Sequence, residues 1–296
     1  MEHYLIKIPI KPTSDNWFNF LNESLQLLKI DTIKYITVDF SKVRFLETDD
    51  FVVLACLLEK FHQKKCLINF IGGSEGLNKH LDNIKLKKYW ETGFNREKFT
   101  ESINRTTLCL WKISRNMIYS YSQYANRYFT NCLGRGKDLI SFASNLDEVF
   151  NNVFDHSNSD VSGYIITQFF PKNNKLSFSI CDFGVGIPNS INNHMISEGK
   201  LPLKETEAIV KALELGYSIK SVPRNAGMGL FNILDLVESS NGNLVIVSNN
   251  VYYEKYGKNS PKIVFTNYNF QGTLIKVLVD LNTFDDVDFN NEEQGF

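Results

Sequence analysis

The sequence predicts a protein in two parts, an α/β part followed by an α+β two-layer sandwich. Strands alternate with helices over the first hundred residues, which is typical of a small α/β layer. Beyond residue 105, a run of helices precedes strands joined by short turns, which indicates helices packed on a mostly antiparallel sheet. The polar stretch 95–105 separates the two patterns. We therefore predict domains over 1–100 and 105–282 and an acidic, flexible tail over 283–296.

The N-terminal part contains three stretches of strand character and three of helix character. Short runs rich in β-branched and aromatic residues predict strands at 4–10, 35–40 and 66–73. Apolar residues at helical spacing predict helices at 17–28, 51–63 and 77–84. Their alternation along the chain indicates the α/β class.

The C-terminal part has its helices and strands in separate groups. The pattern predicts helices at 116–132, 137–156, 203–215 and 229–240. Strands are predicted at 106–113, 163–170, 175–184, 242–250, 262–270 and 272–281. The turn sequence PKNN joins two of these strands directly, which favours antiparallel pairing.

Composition excludes several classes of protein. The 296 residues carry a formal net charge of −1 with no basic block, so nucleic acid is not expected as the main partner. The five cysteines are scattered without a CxxC, which argues against a disulfide scaffold or zinc site and fits a reducing cytosol. The first residues lack the pattern of a secretion signal, and no apolar run approaches the ~20 residues of a membrane span. We expect a cytoplasmic protein.

A line of polar residues marks the helix at 137–156. Glu148, Asn152 and His156 are four residues apart and therefore share one helix face. A solvated face is the default interpretation of such a line. A carboxylate, an amide and an imidazole in one row also suit a ligand site.

A carboxylate stands at the end of an apolar strand face. Leu176, Phe178 and Ile180 share one side of the strand by its period of two, and Asp182 continues that side. Burying a carboxylate is costly without hydrogen-bond donors, so Asp182 either caps the next turn or accepts a ligand's amino group. Glycines at 184 and 186 follow at once and allow backbone to approach a flat ligand closely.

Two further glycines, Gly227 and Gly229, open the helix at 229–240. Backbone N–H groups at a helix start can face an anion, helped by the helix dipole. A tight turn explains the same glycines, and the phosphate-binding sequence GxxxxGK[ST] does not occur.

These motifs, in this order, resemble a known family. Glu-x-x-x-Asn on a helix, then Asp-x-Gly-x-Gly-Ile, Gly-x-Gly-Leu and Gly-Thr on a late strand are similar to the GHKL, or Bergerat-fold, ATPases. That group includes gyrase, histidine kinases, the mismatch-repair ATPase and the anti-sigma serine kinases. The resemblance covers about 105–282 and implies a two-layer sandwich that binds ATP with Mg²⁺.

The resemblance assigns roles to the catalytic and adenine-binding residues. It implies that Asn152 binds Mg²⁺ and that Glu148 positions a water or hydroxyl. Asp182 would accept the adenine amino group, with Thr273 nearby. His156 matches a histidine often found at this place in the anti-sigma kinases, although it also suits a helix C-terminal cap.

The same resemblance assigns the remaining nucleotide contacts. Glycines 184 and 186 would make room for the base, and the segment 189–226 would form a lid over the nucleotide. Lys220 or Arg224 could reach the phosphates from that lid, and the pattern does not choose between them. Backbone donors to the phosphates would come from three consecutive residues, Gly227, Met228 and Gly229.

The N-terminal part resembles a STAS domain, the fold of anti-anti-sigma factors, over roughly 30–90. In that family a strand ending near Asp-Ser-Ser-Gly leads into a helix, and one serine is phosphorylated. Here the stretch reads Glu47, Thr48, Asp49, Asp50, so Thr48 is the candidate phosphoacceptor. The acidic neighbours depart from the family pattern and put phosphorylation in doubt. Alternatively, Thr48 or Asp49 simply caps the following helix.

Three functions remain open. One is an ATPase or protein serine/threonine kinase of the bacterial partner-switching type, since no histidine lies in the dimerising-helix motif that a sensor histidine kinase needs. Another is a non-catalytic, nucleotide-gated module whose STAS-like half binds a partner, such as a sigma-factor-like or STAS protein. In the last, the STAS-like half packs on the ATPase and inhibits it. Some relatives dimerise through the ATPase domain, which leaves a homodimer open.

Overall fold

The computed structural model describes residues 2–9, 14–96, 106–113, 124, 163–215 and 229–284. Within them, the chain forms a three-stranded parallel sheet and a five-stranded antiparallel sheet, with helices packed on both. The mixed α/β class expected from the sequence is therefore confirmed. No helix in these ranges is long and apolar enough to cross a membrane.

The parallel sheet comes from the N-terminal part. Its strands, in spatial order, are β1 (Glu2–Lys7), β2 (Ile33–Asp39) and β3 (Leu67–Ile71). The helices of this part are α1 (Ser14–Gln26), α2 (Thr48–Gln63) and α3 (Glu75–Asn83). Because α1 and α2 each carry the chain back across the sheet, successive strands can run in the same direction.

The antiparallel sheet has the spatial order β4-β5-β6-β8-β7. Its strands are β4 (Thr107–Ile113), β5 (Gly163–Phe170), β6 (Lys175–Asp182), β7 (Asn243–Tyr256) and β8 (Lys262–Asp280). Its helices are α4 (Ile187–Ser197), α5 (Glu205–Ala212) and α6 (Gly229–Ser239). Short 3-10 helices occur at Leu27–Lys29, Lys87–Trp90 and Leu281–Thr283.

Two sequence predictions, on strand β8 and on the start of helix α2, are corrected by the fold. The strands expected at 262–270 and 272–281 are one strand, β8, because pairing with β7 resumes after a register shift near Gly272, whose φ is +102°. The helix α4 begins at Ile187 and runs into the first residues of the segment 189–226, for which the sequence predicted a lid. The helix α2 begins at Thr48 rather than at 51, with Glu47 at its N-cap, so neither Thr48 nor Asp49 is the cap.

Helix α2 lies between the two sheets. It packs against β3 on one side and against β5, β6 and β8 on the other. The side chains from Phe51 to Leu58 are all buried, so this helix is apolar all round rather than amphipathic. Buried residues of both parts consequently form one continuous hydrophobic cluster.

Helix α1 makes a second connection between the parts. The Phe18 ring stacks on Tyr268 of β8 with ring centroids 4.1 Å apart, and meets Phe270 edge to face at 5.5 Å. Phe270 in turn meets the ring of Phe183 edge to face. This aromatic row links α1 to the loop that follows β6.

Candidate functional site

Asp182 lies at the end of β6 with its two carboxylate oxygens in different situations. Its side chain is 2% exposed. Oδ1 accepts a hydrogen bond from the Gly184 backbone N–H at 2.7 Å, which is the turn-capping role. Oδ2 is buried and has no hydrogen-bond partner among the described residues. Both interpretations of Asp182 therefore have support, since one oxygen holds the turn and the other remains available to a ligand.

Burial dominates the electrostatics of Asp182. Burial raises the pKa of the carboxyl to about 7. The Gly184 N–H, the Lys60 ammonium and the Thr273 backbone favour the charged form and lower the pKa, but by less. A carboxyl with a perturbed pKa and an unsatisfied acceptor is typical of a ligand site.

Asn249 of β7 holds the glycine loop that follows Asp182. Its Nδ2 donates to the Val185 carbonyl at 3.1 Å, and its Oδ1 accepts from the Asn189 backbone N–H at 3.3 Å. Gly186 has a φ of +83°, and a Cβ there would lie 2.5 Å from Asn249 Oδ1. In this structure, Gly186 therefore leaves room for the Asn249 side chain.

Ser248 connects the glycine loop to the neighbouring strand. Its hydroxyl accepts from the Ile187 backbone N–H at 2.9 Å and donates to the Gly272 carbonyl at 2.7 Å. Thr273 pairs with Asp182 in the strand register, and its hydroxyl lies 3.3 Å from that of Ser248. The predicted adenine-end residues Asp182, Gly184, Gly186 and Thr273 thus meet at one end of the sheet.

A polar cleft adjoins the glycine loop. It has a volume of about 750 Å³ and separates the end of α1 from Gly184 and Val185. Seven carboxamides and one ammonium line it, contributed by Asn22, Gln26, Lys29, Asn189, Asn193, Asn249, Asn269 and Gln271. The cleft is therefore rich in neutral donors and acceptors.

The candidate phosphoacceptor Thr48 is buried against β6. Its side chain is 1% exposed, and its hydroxyl lies 2.7 Å from Ser179 Oγ and 3.1 Å from Ser177 Oγ. These serines alternate with Phe178 and Ile180, so they occupy the face of β6 opposite the Asp182 side chain. Thr48 and the Asp182 carboxylate are therefore on opposite faces of one strand.

The acidic residues beside Thr48 also contact the second sheet. The Lys276 ammonium on β8 pairs with Glu47 and, at 2.8 Å, with Asp49. Burial alone would lower the pKa of Lys276, but the Asp49 and Glu47 carboxylates raise it overall. Asp50 turns inward and accepts from the Glu47 backbone N–H at 2.8 Å, and burial, with the nearby Asp49 charge, raises the pKa of its carboxyl to about 8.

The other end of α2 is held by a buried carboxylate, Glu59. Tyr164 of β5 donates its hydroxyl to Glu59 Oε2 at 2.7 Å, and Arg96 bonds the same oxygen at 2.5 Å. The Lys112 ammonium on β4 lies 3.7 Å from Oε1. Burial and the Glu59 carboxylate raise the pKa of Tyr164 well above its usual value. A buried carboxylate with three partners fixes α2 to both β4 and β5.

The phosphate and metal end of the predicted site lies outside the described residues. This applies to Glu148, Asn152, His156, Lys220, Arg224, Gly227 and Met228, to the helices at 116–132 and 137–156 apart from Tyr124, and to part of the predicted lid. Gly229 is the first residue of α6. In the ranges that the structure describes, no three His, Cys, Asp or Glu side chains group as metal ligands.

Comparison with known proteins adds no assignment. Neither a family profile nor a curated protein matches this chain.

Sequence reasoning did not find several residues that shape this region. Ser248 and Asn249 are polar residues that follow an apolar stretch of a strand, and this is the same signal that identified Asp182, so it could have identified them too. Glu59 was visible as a carboxylate inside a buried helix. No local signal marks Ser177, Ser179 and Lys276, since their partners lie more than a hundred residues away.

Proposed function

We propose that this chain is an ATP-binding regulatory protein of the bacterial partner-switching type, with a STAS-like N-terminal half and a GHKL-type nucleotide site. The observation that carries the proposal is the buried Oδ2 of Asp182, which has no hydrogen-bond partner within the described part of the chain. An unsatisfied buried acceptor costs about 1–3 kcal/mol, which the amino group of a bound adenine would recover. The order of the four sequence motifs supports the choice of an adenine nucleotide.

The described residues fit the adenine end of such a ligand. Asp182 offers an acceptor, and Gly184 lies beside it without a side chain. Asn152 would hold Mg²⁺, and Glu148 would position a water or hydroxyl. Magnesium would supply charge neutralisation at the phosphates.

A non-catalytic, nucleotide-gated interaction module is the alternative, and the position of Thr48 favours it over a kinase that modifies its own STAS-like half. The Thr48 hydroxyl is buried and paired with serines on β6. Phosphoryl transfer requires the acceptor hydroxyl in line with the γ-phosphate. Thr48 lies on the face of β6 opposite the Asp182 side chain, an arrangement that disfavours transfer from a nucleotide bound at Asp182.

Calorimetry with ATP and GTP tests nucleotide binding. We expect wild type to bind Mg-ATP and to bind GTP poorly, because guanine offers a carbonyl where adenine offers the amino group. Asp182→Asn replaces one acceptor oxygen of the carboxylate with an NH₂ donor. It should lower ATP affinity by about 5- to 150-fold. Equal affinities for ATP and GTP, or for wild type and variant, would rule out the adenine assignment.

Incubation with labelled ATP and Mg²⁺ separates the functions. Label on the protein indicates a kinase, free phosphate indicates an ATPase, and bound but unchanged ATP indicates an interaction module. Asn152→Ala should weaken Mg-ATP binding if Asn152 holds the metal, and unchanged affinity would remove it from that role.

A further inference from the structure

Helix α2 and strand β6 run side by side in the same direction. Thr48 contacts Ser177 and Ser179, and eight residues later the Cys56 thiol donates to the Cys181 carbonyl at 3.2 Å. Eight helical residues advance about 12 Å, and the four strand residues from Ser177 to Cys181 advance about 13 Å, so helix and strand stay in step.

The next turn of α2 brings a cation to the end of β6. Lys60 follows Cys56 by four residues on the same helix face, and Asp182 follows Cys181 on the strand. Burial lowers the pKa of Lys60 and raises that of Asp182, while the charge of each favours the ionised form of the other. Helix α2 therefore places a positive charge near the carboxylate from the opposite face of the strand.

We propose that Lys60 and helix α2 are positioning elements for the nucleotide site, so that docking of α2 along β6 and binding of an adenine nucleotide at Asp182 strengthen each other. This inference rests on the function proposed above. The N-terminal half then acts as a regulatory domain, which contacts the sheet face opposite the ligand.

Two physical effects carry the coupling. The end of β6 lies between α2 and the closely packed backbone of β8, since a Cβ on Gly272 would be 2.1 Å from the Asp182 carbonyl oxygen, so we expect a shift of α2 to move Asp182 as well. The Lys60 ammonium also favours the ionised carboxylate, which is the better acceptor for an amino group.

Within the described ranges, the other titratable groups that act on this pair lie on two elements. Glu59 and Cys56 lie on α2 and Cys181 on β6, whereas the register partner on β8 is Thr273, which does not titrate. Burial raises the pKa of Cys181 well above its usual value, so that thiol stays neutral.

Thiol labelling of the full-length chain measures docking directly. Cys56 and Cys181 are both 0% exposed and lie on either side of the contact between α2 and β6. Cys66 is buried within the N-terminal half, with its thiol directed to the Ile33 carbonyl, and reports unfolding of that half. Because binding energies are reciprocal, saturating Mg-ATP should slow labelling of Cys56 and Cys181 several-fold more than that of Cys66. Equal slowing of all three would indicate only global stabilisation and would overturn the coupling.

Lys60→Met tests the electrostatic part. We expect ATP affinity near pH 7 to fall by about 3- to 10-fold and the midpoint of its pH dependence to move upward, since the carboxyl loses a charge that favours ionisation. Lys64→Met is the matched control, because Lys64 lies one residue past the same helix and pairs with Asp31 in the N-terminal half.

The outcomes separate the two proposals. If wild type does not bind ATP, the proposed function fails. If wild type binds ATP, the function stands, and the coupling fails if ATP slows all three thiols equally or if Lys60→Met keeps both its affinity and its pH profile.

Discussion

Thr48 Oγ1 lies 2.7 Å from Ser179 Oγ, although 131 residues separate them in the chain. The contact joins the first residue of α2 to the middle of β6, and both side chains are buried. At the other end of α2, Tyr164 and Arg96 bond Glu59. Helix α2 is therefore fixed to the antiparallel sheet at both ends, and the two halves of the chain share one core.

Thr48 should not become phosphorylated when the folded protein is incubated with Mg-ATP. Its hydroxyl is buried, and the adjacent acidic residues would repel both the ATP phosphates and a phosphothreonine product. Intact mass should show no added phosphate, with Thr48→Ala and Glu148→Ala as comparison variants. A stoichiometric gain of one phosphate in wild type that both substitutions abolish would contradict this expectation.

The stability of the nucleotide-free protein should fall as pH rises from about 4 to about 8. Burial raises the pKa of Asp182 to about 7 in the folded state, so the folded protein holds a proton that the unfolded chain releases near its ordinary value of 3.8. The stabilisation is complete below that value and is lost as pH rises through about 7.

Urea unfolding of Asp182→Asn at several pH values measures this effect. Between pH about 4 and about 7, the unfolding free energy of the variant should rise relative to that of wild type by up to about 1.4 kcal/mol per pH unit. Asp31→Asn is the control, since its side chain is exposed. Identical pH dependence in wild type and Asp182→Asn would exclude a buried, protonated Asp182.

Asn249 should stabilise the glycine loop through its side chain. Asn249→Gly retains the φ of +51° and removes the hydrogen bonds to Val185 and Asn189, at a cost of about 1–3 kcal/mol in unfolding free energy. Asn249→Ala should lose about 1 kcal/mol more, because alanine is strained at positive φ.

A second asparagine provides the comparison. Asn241 has a φ of +46° but is exposed, and its glycine variant should be close to neutral. Equal effects of the two glycine substitutions, measured by urea denaturation, would exclude the loop-holding role of Asn249.

Glu59→Gln should strongly destabilise the protein. The substitution removes the buried carboxylate that pairs with Arg96 and Lys112, and breaking such a pair costs about 3–5 kcal/mol. Glu198→Gln removes an exposed partner of Lys200 and should change stability far less, because solvent screens a surface ion pair. Chemical denaturation of both variants checks the difference, and similar losses would show that the Glu59 cluster does not hold α2.

The type of most described elements was predictable from local patterns. The alternating residues of β6 and the helical spacing of α3 are local signals, and both elements formed as expected. The long strand β8 was predicted as two, because Gly272 interrupts the strand pattern in sequence. Only the register with β7 and β6 shows that the pairing continues past that glycine.

For the candidate site, the sequence identified Asp182, Gly184, Gly186 and Thr273 as a group, and the fold brings them to one end of the antiparallel sheet. The sequence did not reveal Asn249 as the support of the glycine loop. The hydrogen bonds from Asn249 depend on the path of a loop about 60 residues earlier, which no local pattern records.

By itself, the sequence determined which stretches form strands and helices and that Asp182 ends an apolar strand face, because periodicity and turn residues act over a few neighbours. The tertiary structure alone decided that α2 lies between two sheets, that Thr48 is buried against β6 and that one oxygen of Asp182 has no partner among the residues described. These features depend on contacts such as that between Cys56 and Cys181, 125 residues apart. The apolar composition of a helix predicts that it is buried. Which surface covers it is decided only when distant segments of the chain pack together.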